Sequence, residues 1–220
     1  GYSVEYYYDG VKDESATLNK SAQFNTKVNS YDPGEKPGYK FEKTENLPLT
    51  ITTDASKNVI KAYYVKDASQ TKNITYTVKY FKDGAEVTAD KQTVTKTVWV
   101  NDPSELTVDK TAINTTDKYV GYKLDSAATG EIPSVVASGT VINVYYVKDA
   151  SQTKDVTYTI KYYKDGEEQT EDTITVTKKV WVNEPSVIDV NKADINTTDK
   201  YEGYTFDSET KGIIPNKADN

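Results

Sequence analysis

An internal repeat constrains this chain more than any other feature. Residues 63–138 align without a gap to residues 145–220 at a shift of 82, and 47 of the 76 paired positions are identical. The ten residues 63–72 recur unchanged at 145–154, Val-Trp-Val-Asn recurs at 98–101 and 180–183, and Ile-Asn-Thr-Thr-Asp-Lys-Tyr at 113–119 and 195–201. A third, more divergent copy opens the chain. Its residues 2–10 match 76–84 and 158–166, and Gly38-Tyr39 matches Gly121-Tyr122. Between those anchors the shift grows from 74 to 83, so the first copy is the shorter. Repetition of this kind means that each copy is one structural unit, here expected to bury its own sheet and to meet its successor through a short polar connector. Three tandem repeats are predicted, at 1–67, 73–149 and 155–220. The third stops before any counterpart of 139–149 and is expected to lack its final strand.

Within a copy the pattern reads as strands. Tyr76, Val78 and Tyr80 alternate with Thr77, Lys79 and Phe81, and Tyr158, Ile160 and Tyr162 repeat the arrangement. Period two in Tyr, Val, Ile and Thr marks a half-buried strand. Asp-Gly at 9–10, 83–84 and 165–166 supplies the turn that follows. Further strands are predicted at 93–100 and 175–182, at 121–125 and 203–207, and at 59–65 and 141–147. Asp102-Pro103-Ser104 and Glu184-Pro185-Ser186 resemble a helix start, with an acidic cap and Pro at the first position. The residues after them suit a strand or a short helix equally. A mostly β chain, α+β at most, is expected, with no more than one short helix per copy. The connectors 67–72 and 149–154 are polar, lack Gly and Pro, and are short enough to restrict the angle between neighbours.

Composition excludes much chemistry. Cys, His and Met are absent from all 220 residues. Disulfides, thiolate nucleophiles, Cys/His zinc sites and His-based triads are thereby excluded. The formal charge of −7 argues against non-specific binding to nucleic acid or to an anionic membrane. No apolar run approaches a membrane span and no signal peptide opens the chain, so membrane insertion is not expected. Hydrophobic residues make up 36% of the chain while Tyr alone supplies 19 residues, so tyrosine must build much of the core.

The frame Tyr-x-Val-x-Tyr with Asp-Gly, then Gly-Tyr at 38–39, 121–122 and 203–204, then Leu-Pro or Ile-Pro at 47–48, 132–133 and 214–215, then a closing Tyr-Tyr-Val-Lys-Asp, resembles the MucBP-type repeats of Gram-positive surface adhesins. The likeness covers almost the whole chain. It implies tandem β-grasp, ubiquitin-like units forming an elongated rod, in an extracellular protein attached to the cell wall. It also implies a stalk that extends a distal domain, or adhesion to host mucin or another glycoprotein. An immunoglobulin-like sandwich is the alternative fold, and a dedicated glycan-binding module the alternative role. The sorting signal usual in such proteins is absent from these residues.

Few side chains invite a chemical role. The acidic pairs Glu167–Glu168 and Glu171–Asp172 lie in a turn-rich stretch of a chain with 34 acids and read as solvated surface rather than a glycosidase couple. Asp194, Asn196 and Asp199 place oxygens at a spacing faintly like a calcium loop, without its mid-loop Gly or closing Glu, and read as a structural turn. No cofactor is expected. Trp99 and Trp181 are the candidate ligand contacts, as aromatic rings that stack on sugars, with packing as the bland alternative. Catalysis is not expected, since no nucleophile–base or metal constellation recurs in all copies. The chain is expected to be a monomer. Its third copy should be less ordered, or should take a strand from another chain across an exposed backbone edge.

Overall fold

The computed structural model describes residues 1–209 and 212–220. Alternation sets the architecture from the first strand onward. In β1 (Tyr2–Tyr8) every second side chain, Val4, Tyr6 and Tyr8, is buried. The chain gathers into two compact units. One comprises Gly1–Thr77, Gln92–Asp109 and Pro133–Ile142, and the other Val78–Lys91, Lys110–Ile132 and Asn143–Asn220.

In the first unit β2 (Tyr39–Glu45) and β3 (Val59–Lys66) join β1 in a mixed sheet. β1 and β3 lie parallel, with Val4 opposite Ile60 and Tyr6 opposite Ala62, and β2 closes antiparallel on β3. Leu18–Lys20 and Val11–Lys12 run antiparallel to β1. Parallel neighbours require a long crossover. Here residues 9–58 supply it, so the copy's first and last strands meet at the centre of its sheet. That arrangement is the one expected of a ubiquitin-like unit, and the mixed sheet differs from an all-antiparallel immunoglobulin sandwich.

One face of the sheet is covered by loops. The core joins Val4, Tyr6, Tyr8, Ile60, Ala62 and Tyr64 of the strands to Leu49 and Ile51 of the crossover. A loop packed over a core must have its backbone polar groups satisfied, and tyrosine hydroxyls do this. Tyr6 Oη donates to Asp32 O at 2.5 Å, Tyr8 Oη donates to Gly34 O at 2.6 Å, and Gly34 N donates to Tyr64 Oη at 2.9 Å.

The second copy repeats the sheet. β4 (Thr71–Lys82), β5 (Gln92–Trp99), β6 (Tyr122–Leu124) and β7 (Thr140–Lys148) take the order β5-β4-β7-β6. Tyr80 and Tyr146, both fully buried, again reach a loop. Asn114 N donates to Tyr80 Oη at 3.1 Å, and Tyr146 Oη donates to Asn114 O at 2.9 Å. The Asp-Gly turns carry consecutive positive φ angles of 47° and 79° at Asp9-Gly10, and 47° and 83° at Asp83-Gly84. Glycine is needed at the second position because that geometry opposes a β-carbon.

One open alternative is settled and one sequence expectation is corrected. No helix follows Asp102-Pro103: residues Glu105–Thr107 form a strand paired with Val135–Ala137, and a single 3-10 turn, Lys110–Ala112, comes later. Leu106, buried in that ribbon, shows why: a partner strand decided between two equal local readings. The α-helix of the second copy is Ser126–Thr129, where Asp125 Oδ1 caps Ala128 N at 3.0 Å. Residues 203–207, expected to form a strand like 122–124, adopt none.

In the third copy β8 (Thr153–Ile160) pairs antiparallel with β9 (Ile174–Trp181). Among the described residues no strand lies on its other edge. β4 runs unbroken to Lys82, whereas β8 ends at Ile160. The buried cluster is correspondingly smaller: Val156, Tyr158, Ile160 and Ile188.

Burial predicts the cost of truncation. Ile60, fully buried between β1 and the crossover, should lose about 2–5 kcal/mol on change to alanine. Val11, 71% exposed, should lose less than about 0.5 kcal/mol. Urea denaturation of the two variants would check both.

Candidate functional site: a clasp built twice

The residues that sequence analysis treated as a connector form the most organised polar site in the chain. In the first unit Asp67 caps its own turn. Its Oδ1 accepts from Ser69 N at 3.1 Å and Ser69 Oγ at 2.6 Å. Gln70 then reaches back to the first copy: Gly38 N donates to Gln70 Oε1 at 2.7 Å, and Gln70 Nε2 donates to Tyr39 O at 3.1 Å. The Gln70 carbonyl receives Val100 N at 2.9 Å. One glutamine thus holds the Gly38-Tyr39 backbone with its side chain and the end of β5 with its main chain.

Trp99 closes the clasp. Its Nε1 donates to Gly38 O at 3.1 Å, and Asn101 Nδ2 donates to Pro37 O at 2.8 Å. The Tyr39 and Trp99 rings meet edge to face at 5.5 Å, and Lys66 Nζ lies 4.6 Å above the indole. Gly38 has φ +89°, and a β-carbon there would lie 2.8 Å from Trp99 Cζ2, so glycine is required both for the turn and for the approach of the ring.

The second unit holds the same constellation 82 or 83 residues later. Gly121 N donates to Gln152 Oε1 at 2.7 Å, Gln152 Nε2 to Tyr122 O at 3.0 Å, and Val182 N to Gln152 O at 2.8 Å. Trp181 Nε1 donates to Gly121 O at 3.0 Å and Asn183 Nδ2 to Val120 O at 2.8 Å. Lys148 Nζ stands 4.5 Å above Trp181. Position 37 is Pro and position 120 is Val, yet the asparagine bond survives because it goes to a backbone carbonyl.

Both candidate tryptophans therefore lie half-buried in clasps, with their indole N–H groups bonded. The chemistry of the site is polar and structural: amide and indole donors on main-chain carbonyls. Gln70, Gln152, Asn101 and Asn183 were missed by sequence reasoning. The available signal was the unchanged connector in two copies that differ at 29 of 76 positions, 76 − 47 = 29.

The Asp194, Asn196, Asp199 group is a loop element. Asn196 Oδ1 accepts from Thr198 N at 3.0 Å and Asp199 N at 3.2 Å, and Asn196 N donates to Tyr162 Oη at 3.0 Å. Asn114 makes the corresponding turn with Thr116. Among the described residues no group of three or more His, Cys, Asp or Glu side chains is placed to hold a metal ion. No helix there is long and apolar enough to cross a membrane.

No family model matches the chain, and no curated protein matches it. Among solved structures it is similar to the type 2 repeat of the mucus binding protein MUB from Lactobacillus reuteri. The match has 16% identity and a TM-score of 0.24, and covers 67% of this chain and 98% of that one.

Two outcomes test the clasp. Gly121→Ala should cost at least about 1 kcal/mol through its left-handed backbone, and more because the β-carbon would lie 2.9 Å from Trp181 Cζ2. Gly203→Ala, the equivalent position of the third copy with φ +79° and no neighbour within 4 Å, should suffer the backbone cost alone. The difference in urea midpoint between the two variants reports the clash. Asp67 and Asp149 are held below the usual carboxylate range by their serine hydrogen bonds first, and then by Gln70 and Gln152. A lowered folded pKa stabilises above the unfolded value of about 4 and is lost as pH falls through the folded one. Acid should therefore loosen the connectors: hydrogen exchange at Gln70 and Gln152 should rise as pH falls below about 4, after correction for intrinsic rates.

Proposed function

We propose that this chain is a spacer segment of an extracellular surface protein. In this reading 1–67, 73–149 and 155–220 are successive repeats, each coupled to the next by the clasp. The observation that carries it is the same set of bonds at Gly38, Gln70 and Trp99 and at Gly121, Gln152 and Trp181. A six-residue polar connector without Gly already restricts the angle between its neighbours by its shortness. Here its turn is capped, its glutamine is bonded on both sides, and an indole covers the glycine it holds. Such a connector transmits force and direction between neighbours.

Adhesion to mucin glycans or another host glycoprotein, which the sequence resemblance implies, enters this reading as a task of the remaining surface of the array. Weak contacts on each copy would then add through effective concentration. The indoles are already committed to the clasp. A catalytic role has nothing comparable to support it.

Limited proteolysis tests the spacer reading. The connectors 67–72 and 149–154 should resist cleavage in the native protein. Trp181→Ala should expose 149–154 at least about tenfold, the effect of losing roughly 1.4 kcal/mol of local protection, while 67–72 stays intact. Native connectors cut as fast as an unstructured hexapeptide would overturn it. So would retention on a mucin surface that disappears with Trp99→Ala and Trp181→Ala while both connectors stay resistant, since the indoles would then be ligand contacts.

A further inference from the structure

The loop that covers the first copy leaves an open cleft at its edge. The walls are the rings of Tyr31, Tyr39, Phe41 and Tyr64 together with Pro33 and Pro37, and they enclose about 730 Å³. That volume falls within the roughly 300–1,000 Å³ of ligand clefts. All of these residues belong to one compact unit. The rings are held from outside the cleft. Tyr64 Oη receives Gly34 N at 2.9 Å, Phe41 meets Tyr64 edge to face at 5.9 Å, and Tyr39 meets Trp99 in the same way at 5.5 Å. Phe41 nevertheless remains 55% exposed.

The second copy changes the lip of this cleft and keeps the clasp behind it. Counted from Gly38 and Gly121, the residues Glu35, Lys36, Pro37 and Phe41 become Lys118, Tyr119, Val120 and Leu124. Tyr119 packs edge to face on Tyr146, the counterpart of Tyr64, at 5.1 Å, and its hydroxyl donates to Asp90 Oδ2 at 2.5 Å. The first copy has a lysine there instead of a ring. Lys36 Nζ stands 4.5 Å from the centre of the Tyr8 ring and 3.4 Å from Asp13 Oδ2. Asp13 thus balances Lys36, and Glu35, which has no partner among the described residues, leaves one negative charge unmatched at the rim.

Few polar groups in the cleft are free. Gln70 commits its amide to Gly38 N, Tyr39 O and Asp67 Oδ2. Tyr64 Oη serves Gly34 N and Tyr31. The Tyr39 hydroxyl and the Glu35 carboxylate remain, without partners among the described residues. A sugar ring would bring several hydroxyls to two free groups and leave the rest unmet. A proline-rich chain brings apolar rings, lacks N–H groups at its prolines and is ordered before it binds. We propose that this cleft binds a proline-rich segment of another protein, in the polyproline II conformation, with one Lys or Arg beside its prolines. Proline rings would lie against the aromatic walls, Tyr39 Oη would donate to a ligand carbonyl, and the basic side chain would pair with Glu35. The site lies within the first copy, so its failure would leave the spacer reading untouched, and the converse holds.

The test follows amide chemical shifts of the whole 220-residue protein on addition of a blocked peptide of six prolines ending in one lysine. Shifts should move in the 31–41 segment and at Tyr64 and Gln70, with a Kd below about 1 mM. A peptide ending in glutamate should bind about fivefold more weakly, since an attractive exposed pair gives way to a repulsive one. Glu35→Lys should reverse that preference, and Phe41→Leu should weaken both peptides about threefold. Both substitutions install the residue that the second copy carries at the same place, and the peptide exchange needs no variant to fold. No shift at about 1 mM peptide overturns the proposal. Equal binding of a glycine–serine peptide of the same length with one lysine does so too, because charge alone would then account for the contact. So does a neutral monosaccharide that moves these amides when the proline peptide does not.

Discussion

Tyrosine hydroxyls bonded to loop backbone are the interaction on which this structure depends. A sheet with one apolar face needs a cover, and among the described residues no helix exceeds the four residues of Ser126–Thr129. Irregular chain therefore lies over the core, and irregular chain leaves amides and carbonyls without partners. Tyrosine solves both problems with one side chain: its ring fills the core and its oxygen reaches the loop above. Tyr6, Tyr8 and Tyr64 do this around Gly34; Tyr80 and Tyr146 do it around Asn114; Tyr162 does it for Asn196. The loop of the first copy differs in sequence from the Ile-Asn-Thr-Thr-Asp-Lys-Tyr loop shared by the other two, yet the device is the same. A chain with 36% hydrophobic residues and 19 tyrosines is thereby able to order its crossovers. Phenylalanine would fill the same volume and leave a buried donor or acceptor unmet, at about 1–3 kcal/mol each.

The clasp extends that logic from loops to connectors. Its bonds end on main-chain atoms: Gly38 N and O, Tyr39 O, Pro37 O, and their equivalents at Gly121, Tyr122 and Val120. Recognition of backbone tolerates drift in the residues recognised, as the change from Pro37 to Val120 illustrates. What it does not tolerate is a β-carbon at the glycine, because ring and backbone approach too closely. Sequence change is thus confined by geometry at one position and released at its neighbours.

Legibility in the sequence followed the same division. Period two identified β1, β4 and β8, because alternation is a property of the strand itself. The Asp-Gly turns were equally visible, since positive φ restricts residue choice. The strand Glu105–Thr107 was ambiguous because its partner, Val135–Ala137, lies 30 residues away and local preference does not encode pairing. Trp99 could be placed on a strand face, but its target Gly38 is 61 residues earlier, beyond any local pattern. Gln70 looked like an ordinary polar connector residue. Its role comes from two carbonyls and an amide that only the fold brings to it.

The third copy separates what a strand owes to its sequence from what it owes to its neighbour. Tyr158, Lys161 and Tyr162 match Tyr76, Lys79 and Tyr80, and Asp165-Gly166 matches Asp83-Gly84. Yet β4 continues through Lys82 while β8 stops at Ile160, and residues 203–207 lose the strand that 122–124 possess. The losses fall where β7 would have paired. β6 pairs with β7, Tyr122 opposite Lys148, so removing one central strand strips the edge strand beyond it as well. β9 stays paired along all eight residues of β8, because its ladder is on the other side. β-propensity in this chain is accordingly a condition for joining a sheet, and the ladder partner is what converts it into structure.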